Sequence, residues 1–246
     1  MENKDIEFIK KNIFIGKQLR IFISYSDKDK KIASAIKKGF NYYGVEAFLA
    51  HDDIMIGQEW RDTILRNLKQ FDIFVSILSK NFMESNWTDQ EVGFAISRGT
   101  TIIPISIDGT LPYGFLEMFQ TLFKFECKEY DKPYSNEKIL NCNESIFEII
   151  KIITNKIDLR ENLKDSLIKD MTNIENYRNA EKYLTLLISL EPFNKEQINE
   201  IIKQGIENNQ IYSATKCKII LKELIEKHDS QIESDLKEKI KEKISD

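Results

Sequence analysis

Three features of the sequence predict an α/β protein, with a parallel sheet covered by helices on both faces and a small all-helical module behind it. First, short continuous apolar runs of strand length recur at 19–25, 45–50, 72–79 and 101–108, without the alternation that a sheet facing water on one side shows. Second, stretches with apolar residues at helical spacing separate these runs, so each crossover is long enough to join parallel strands. Third, no strand signal follows residue 160, and the remainder is a string of helical patterns. Strand and helix alternating in this way give a doubly wound, flavodoxin-like layout, in which ligands bind beyond the carboxyl ends of the strands.

The elements follow in order. Residues 1–18 read as an arm or short helix with Ile6, Phe8, Ile9, Ile13 and Phe14 on one side. Leu19 to Tyr25 is a compact β-branched and aromatic run of strand length. Ser26-Asp27-Lys28-Asp29 is an S-x-x-D capping signal, and Ile32, Ala35, Ile36, Phe40 and Tyr43 then recur at helical spacing. Gly44 closes that helix in the position where a left-handed residue is needed. Val45 to Ala50 is the second strand, followed by the acidic loop HDDIMIGQEW, with Ile54-Met55-Ile56 exposed and Gly57 suited to positive φ. A helix from Trp60 to Gln70 leads into the third strand, Asp72 to Ser79.

A polar loop ending in Trp87 comes next, then a helix expected to carry Glu91 in its first turn, then the fourth strand, Thr101 to Asp108. The stretch 109–126 is irregular with a possible last strand at Thr121 to Phe125, and Glu144 to Ile157 is a helix opened by the capping box Ser145-x-x-Glu148. The first domain therefore spans 19–159. The module at 160–246 is expected to hold helices at Tyr177–Leu190, Asn194–Asn208, Tyr212–Lys227 and Gln231–Ile244, with Asn194 and Gln197 capping the second.

Composition narrows the chemistry. The chain of 246 residues is 41% hydrophobic, enough for a core, and its net charge of -4 gives none of the basic footprint of duplex binders, so nucleic acid is not expected. No apolar run approaches the ~20 residues of a membrane span, and the start lacks a signal-peptide core, so a cytoplasmic protein with no membrane contact is expected. The three cysteines are odd in number and scattered, without a C-x-x-C pair, which argues for reduced thiols over a disulfide framework or a thiolate metal site. The two histidines, His51 and His228, lie far apart, so neither a zinc site nor a histidine triad is expected, and acid–base chemistry rests on carboxylates.

Several short motifs, weak alone, stand in a specific order: Ile21-Phe22-Ile23-Ser24-Tyr25, the loop Asp52 to Gly57, Trp87-x-x-x-Glu91 followed by Ala95, and Gly99-Thr100-x-x-x-Pro104. In this order they resemble the TIR domains, and within them the bacterial NAD-cleaving branch; the resemblance covers about residues 19–157. It implies cleavage of the nicotinamide–ribose bond of NAD+, giving nicotinamide plus ADP-ribose or a cyclic ADP-ribose signal, in bacterial antiphage defence. Glu91 would be the catalytic carboxylate, with Tyr25, Ser26, Asp53, Gly57, Lys80 and Trp87 near the substrate. NAD+ is then a substrate, and no cofactor or metal is implied. The 51–60 loop would mediate self-association, although Ile56-Gly57 stands where signalling adaptors carry Pro-Gly, and the helical module would receive an activator or effector protein.

The chemistry suits a single carboxylate. Loss of nicotinamide passes through an oxocarbenium-like ribosyl cation, which a fixed carboxylate stabilises, and nicotinamide leaves as a neutral base that needs no general acid. The competing reading of Glu91 is structural: Thr88-Asp89-Gln90-Glu91 fits a T-x-x-E capping box, and the first turn of a helix favours an ionised carboxylate in either role. Trp87 equally suits ring stacking or a place at the edge of the core, Ser26 a plain N-cap, Lys80 a solvated loop, and Asp53 a turn. Two other functions fit the same elements: a non-catalytic TIR scaffold acting by self-association, and an enzyme like the nucleoside deoxyribosyltransferases. A response regulator does not, since the third strand ends Leu78-Ser79-Lys80 without an aspartate to phosphorylate.

Overall fold

The structure is a computed structural model that describes residues 18–49, 67–131 and 137–245. The N-terminal arm, the loop with Asp53 and Gly57, and most of the Trp60 to Gln70 helix lie outside the described residues. The chain divides into two compact units, Met1–Asn41 with Val45–Ile150, and Tyr42–Gly44 with Lys151–Asp246.

The first unit is built on four parallel strands, β1 (Arg20–Ser24), β2 (Glu46–Leu49), β3 (Ile73–Leu78) and β4 (Thr101–Ser106), in the order β2-β1-β3-β4. With its helical crossovers this is the flavodoxin-like arrangement that the apolar runs predict. On one face Phe22 stands opposite Phe48 and Phe74, and Phe74 opposite Ile102, so the register itself makes an apolar row. The rings of Phe22 and Phe74 stack with centroids 5.8 Å apart. Each such buried phenylalanine contributes about 1.5–3 kcal/mol by leaving water. Ile21, Ile23, Ile73 and Val75 alternate with that row and are buried on the other face. Helix α1 (Lys30–Tyr42) buries Ala33, Ala35, Ile36 and Phe40, and a Cβ added at Gly39 would meet Ile146 of helix α4 (Asn143–Thr154) at 2.8 Å. Only glycine permits that approach. Gly44, at φ 67°, ends α1 in the left-handed conformation foreseen for it.

At the amino end of β1, Arg20 Nε and Nη2 donate to the two carboxylate oxygens of Asp72 at 3.0 and 2.7 Å, and the Arg20 amide adds a third bond at 2.9 Å. The expected last strand at Thr121 to Phe125 is reduced to one bridge, Ile105 to Leu122. Leu122 N–H donates to Pro104 O at 2.9 Å and Ser106 N–H to Leu122 O at 3.0 Å. Proline at 104 has no N–H for the preceding rung, so the ladder cannot lengthen toward the amino end of β4.

An antiparallel ribbon not foreseen from the sequence, β5 (Lys128–Asp131) with β6 (Lys138–Asn141), follows β4. Its outermost register pair is Lys128 with Asn141, so Cys127 and Cys142 face each other one step further on, and they form a disulfide. The expectation of reduced cysteines is corrected here: sequence separation hid a pair that the ribbon makes adjacent. Cys217 is free and buried.

The second unit is helical among its described residues: α5 (Arg160–Lys169), α6 (Tyr177–Ile188), α7 (Lys195–Glu207), α8 (Asn209–Ser213), α9 (Thr215–Lys227) and α10 (Ser234–Ser245). The Asn194–Gln197 capping box forms with both reciprocal bonds. α5 is an addition to the sequence reading, and the expected Tyr212–Lys227 helix is broken at Ala214 into α8 and α9. Asn208 governs this region: its Nδ2 donates to the carbonyls of Met171, Thr172 and Ile174, while its Oδ1 accepts from Gln210 N–H at 2.9 Å.

Candidate active site

Period two along β1 puts Ser24 on the same face as Phe22, and the register sets it beside Ser76 of β3. The apolar row is thus followed, toward the carboxyl edge, by buried hydroxyls. Helix α3 (Asn86–Ser97) buries Thr88, Glu91, Val92 and Ala95, the 3–4 spacing of one helical face, and Val92 and Ala95 join the phenylalanine cluster. Glu91 is carried in with them and is only 3% exposed.

The Glu91 Oε2 accepts a hydrogen bond from Ser24 Oγ at 2.5 Å. Its Oε1 has no partner among the described residues. Burial drives the carboxyl up from its usual 4.5 to about 8, with the Ser24 hydroxyl pulling the other way. The carboxyl therefore keeps its proton at neutral pH in this state, which corrects the expectation of an ionised group. The capping-box reading is corrected too. The helix starts at Asn86 behind Ser85, and Thr88 donates back to the carbonyls of Phe82 and Ser85 at 2.9 and 2.7 Å. Glu91 lies in the second turn, too far along to reach an N-terminal amide.

The other residues named from the sequence are dispersed along this edge. Tyr25 is buried directly after Ser24. Ser26 is buried and extended ahead of a short turn at Asp27–Asp29, and its side chain makes no capping bond; the Asp29 amide donates to its carbonyl instead, at 2.7 Å. Lys80 begins a short helix, α2 (Lys80–Met83), and its amide donates to Asp108 Oδ2 at 3.0 Å, which links the ends of β3 and β4. Trp87 is not in a loop or in the core: it occupies the first turn of α3 and is 41% exposed. Asp53 and Gly57 lie outside the described residues.

Three residues that the sequence did not mark as part of the site build this edge. Ser24 is the direct partner of Glu91, and the available signal was a serine two positions after an inward-facing phenylalanine. Asp29 accepts from Ser79 Oγ at 2.5 Å and Asn81 Nδ2 at 2.9 Å, tying the end of β1 to that of β3, while Ser79 also caps α2. Tyr113 donates to Asp89 at 2.7 Å and holds the stretch after β4 against α3. No group of three or more metal-ligating side chains exists among the described residues, and none of their helices is long and apolar enough to cross a membrane.

A parallel sheet in this order, flanked by helices, defines a doubly wound α/β domain, with the buried Glu91 carboxyl at its carboxyl edge. Residues 21–137 match the family model of the TIR domain, and this part of the chain is a TIR domain. The helical unit from Lys151 onward lies beyond that match. No curated protein matches the chain significantly.

Proposed function

We propose that the TIR domain cleaves the nicotinamide–ribose bond of NAD+ as a glycohydrolase or ADP-ribosyl cyclase. The observation that supports this reading most is the state of Glu91: a carboxyl buried at the ligand edge, one oxygen held by Ser24 and the other without a partner among the described residues. A protein keeps so costly a group where it has a task. The nicotinamide ring of NAD+ is cationic, so bound substrate draws Glu91 toward its carboxylate form. As the glycosidic bond breaks, its electron pair leaves with neutral nicotinamide and positive charge grows on the ribose beside Oε1. Water attacking C1′ gives ADP-ribose and one proton; a nucleophile within the same molecule gives a cyclic product.

Tyr25, Ser26, Lys80 and Trp87 would border the substrate. Association of copies through the 51–60 loop, and binding of an activator by the helical unit, belong to the same proposal, with antiphage defence as its setting. The test is to incubate concentrated protein with NAD+ beside Glu91→Gln and to resolve products by chromatography and mass spectrometry. Nicotinamide released by the wild type alone is the expected result. Equal release by both proteins, or none from either across pH 6–9, would overturn the enzymatic reading and favour a scaffold.

A further inference from the structure

We infer that Ser24 is the positioning residue of Glu91: its hydroxyl holds one carboxyl oxygen and leaves the other to face the substrate. The inference rests on the catalytic reading of Glu91 and assigns a separate task to each oxygen. Ser24 is the last residue of β1 and fully buried, and the ladder to β3 fixes its backbone at Ser76. The terminal torsion of a glutamate is broad and nearly two-fold, so an unheld carboxyl would present either oxygen at many angles. A 2.5 Å bond from a rigid strand removes that freedom and leaves Oε1 as the oxygen without a partner among the described residues.

The residue type matters. An apolar residue at 24, such as its neighbours Ile23 and Phe22, would leave both oxygens buried without a partner. The hydroxyl donates to the ionised form as well as to the neutral one, and so also makes the carboxylate easier to reach. Among the described residues burial and this hydroxyl are the two influences on the Glu91 carboxyl, with no charged group acting on it. Ser76 provides an internal control. It sits beside Ser24 in the register, its hydroxyl is equally buried, and that hydroxyl has no partner among the described residues.

The experiment compares Ser24→Ala, Ser24→Thr and Ser76→Ala with the wild type, with folding checked by circular dichroism. The Glu91 carboxyl is titrated by carbon NMR of glutamate-labelled protein or by its infrared band, assigned by its loss in Glu91→Gln, so this readout needs no turnover. The wild type is expected to titrate near pH 8, Ser24→Ala about one pH unit higher, and Ser76→Ala with the wild type. In NAD+ cleavage the acid limb of kcat/KM should move up by the same amount. At pH 7 that is a loss of about tenfold in kcat/KM, which closes again above the new limb and is restored by Ser24→Thr. An unmoved midpoint in folded Ser24→Ala, or an equal shift in Ser76→Ala, overturns the inference. Shifted titration with no NAD+ turnover at any pH would instead sink the glycohydrolase reading while supporting the Ser24–Glu91 coupling.

Discussion

The two ends of β1 carry polar pairs of similar make that are left in opposite states. At the amino end the Asp72 carboxylate receives three bonds from Arg20, and both its oxygens are engaged; its hydrogen bonding, and after that its charge, in turn raise the Arg20 guanidinium further. Four residues later the Glu91 carboxyl receives one bond, from a neutral hydroxyl, in a far drier setting. A carboxylate whose oxygens are all used is a fastener. One that is sealed from water and half satisfied is poised for something else, and the fold bears the cost.

Substitutions at the two ends should separate these states most sharply in turnover. Glu91→Gln should lower NAD+ cleavage by about 10³-fold, whereas Asp72→Asn should leave turnover per folded molecule within about threefold; a comparable loss at Asp72 would break the comparison. Stability should run the other way. The Glu91 proton is held up to about pH 8 in the folded chain and only to about 4.5 in the unfolded one, so its contribution is complete below pH 4.5 and fades as pH rises through 8. At pH 7 the carboxyl thus opposes folding, relative to a neutral side chain, by about 3 kcal/mol. Glu91→Gln should raise the melting temperature at pH 7 and leave it unchanged at pH 4, and an equal change at both would contradict the assigned burial.

Asp72→Ala should cost about 2 kcal/mol in denaturant titrations, less than a deeply buried pair would, because both partners touch water. The smallest effect is expected at Trp87→Ala: under about 0.5 kcal/mol of stability for so exposed a residue, with KM for NAD+ raised severalfold if its ring meets the substrate. An unchanged KM would remove Trp87 from the site.

How much of this the sequence disclosed depended on burial. The four strands were legible because both faces are covered, which makes each a continuous apolar run, and the Asn194–Gln197 box was legible because its signal is entirely local. The ribbon of β5 and β6 is exposed and charged, with Lys128, Glu129 and Lys138 on it, and its apolar residues Tyr130, Ile139 and Leu140 make no run of strand length. Its disulfide was hidden with it. The capping box at Thr88 was a sound local match that lost to an N-cap three residues earlier, at Ser85, and a local pattern cannot choose between neighbouring starts. Ser24 needed the sheet: only the shared face of β1, together with the helix laid across it, shows which hydroxyl meets which carboxyl.

The single rung at Leu122 has a consequence for how molecules of this protein meet. β4 is the outer strand of the sheet, and the polar groups it turns outward are poor in donors: Pro104 has none, and Ser106 already gives its N–H to Leu122. A strand from another chain would have to displace Leu122 to dock there, and would still find a gap at the proline. The proline and the Leu122 rung oppose the edge-to-edge growth that turns open sheets into aggregates. Copies that gather along this flank must do so through side-chain surfaces, without sharing a sheet.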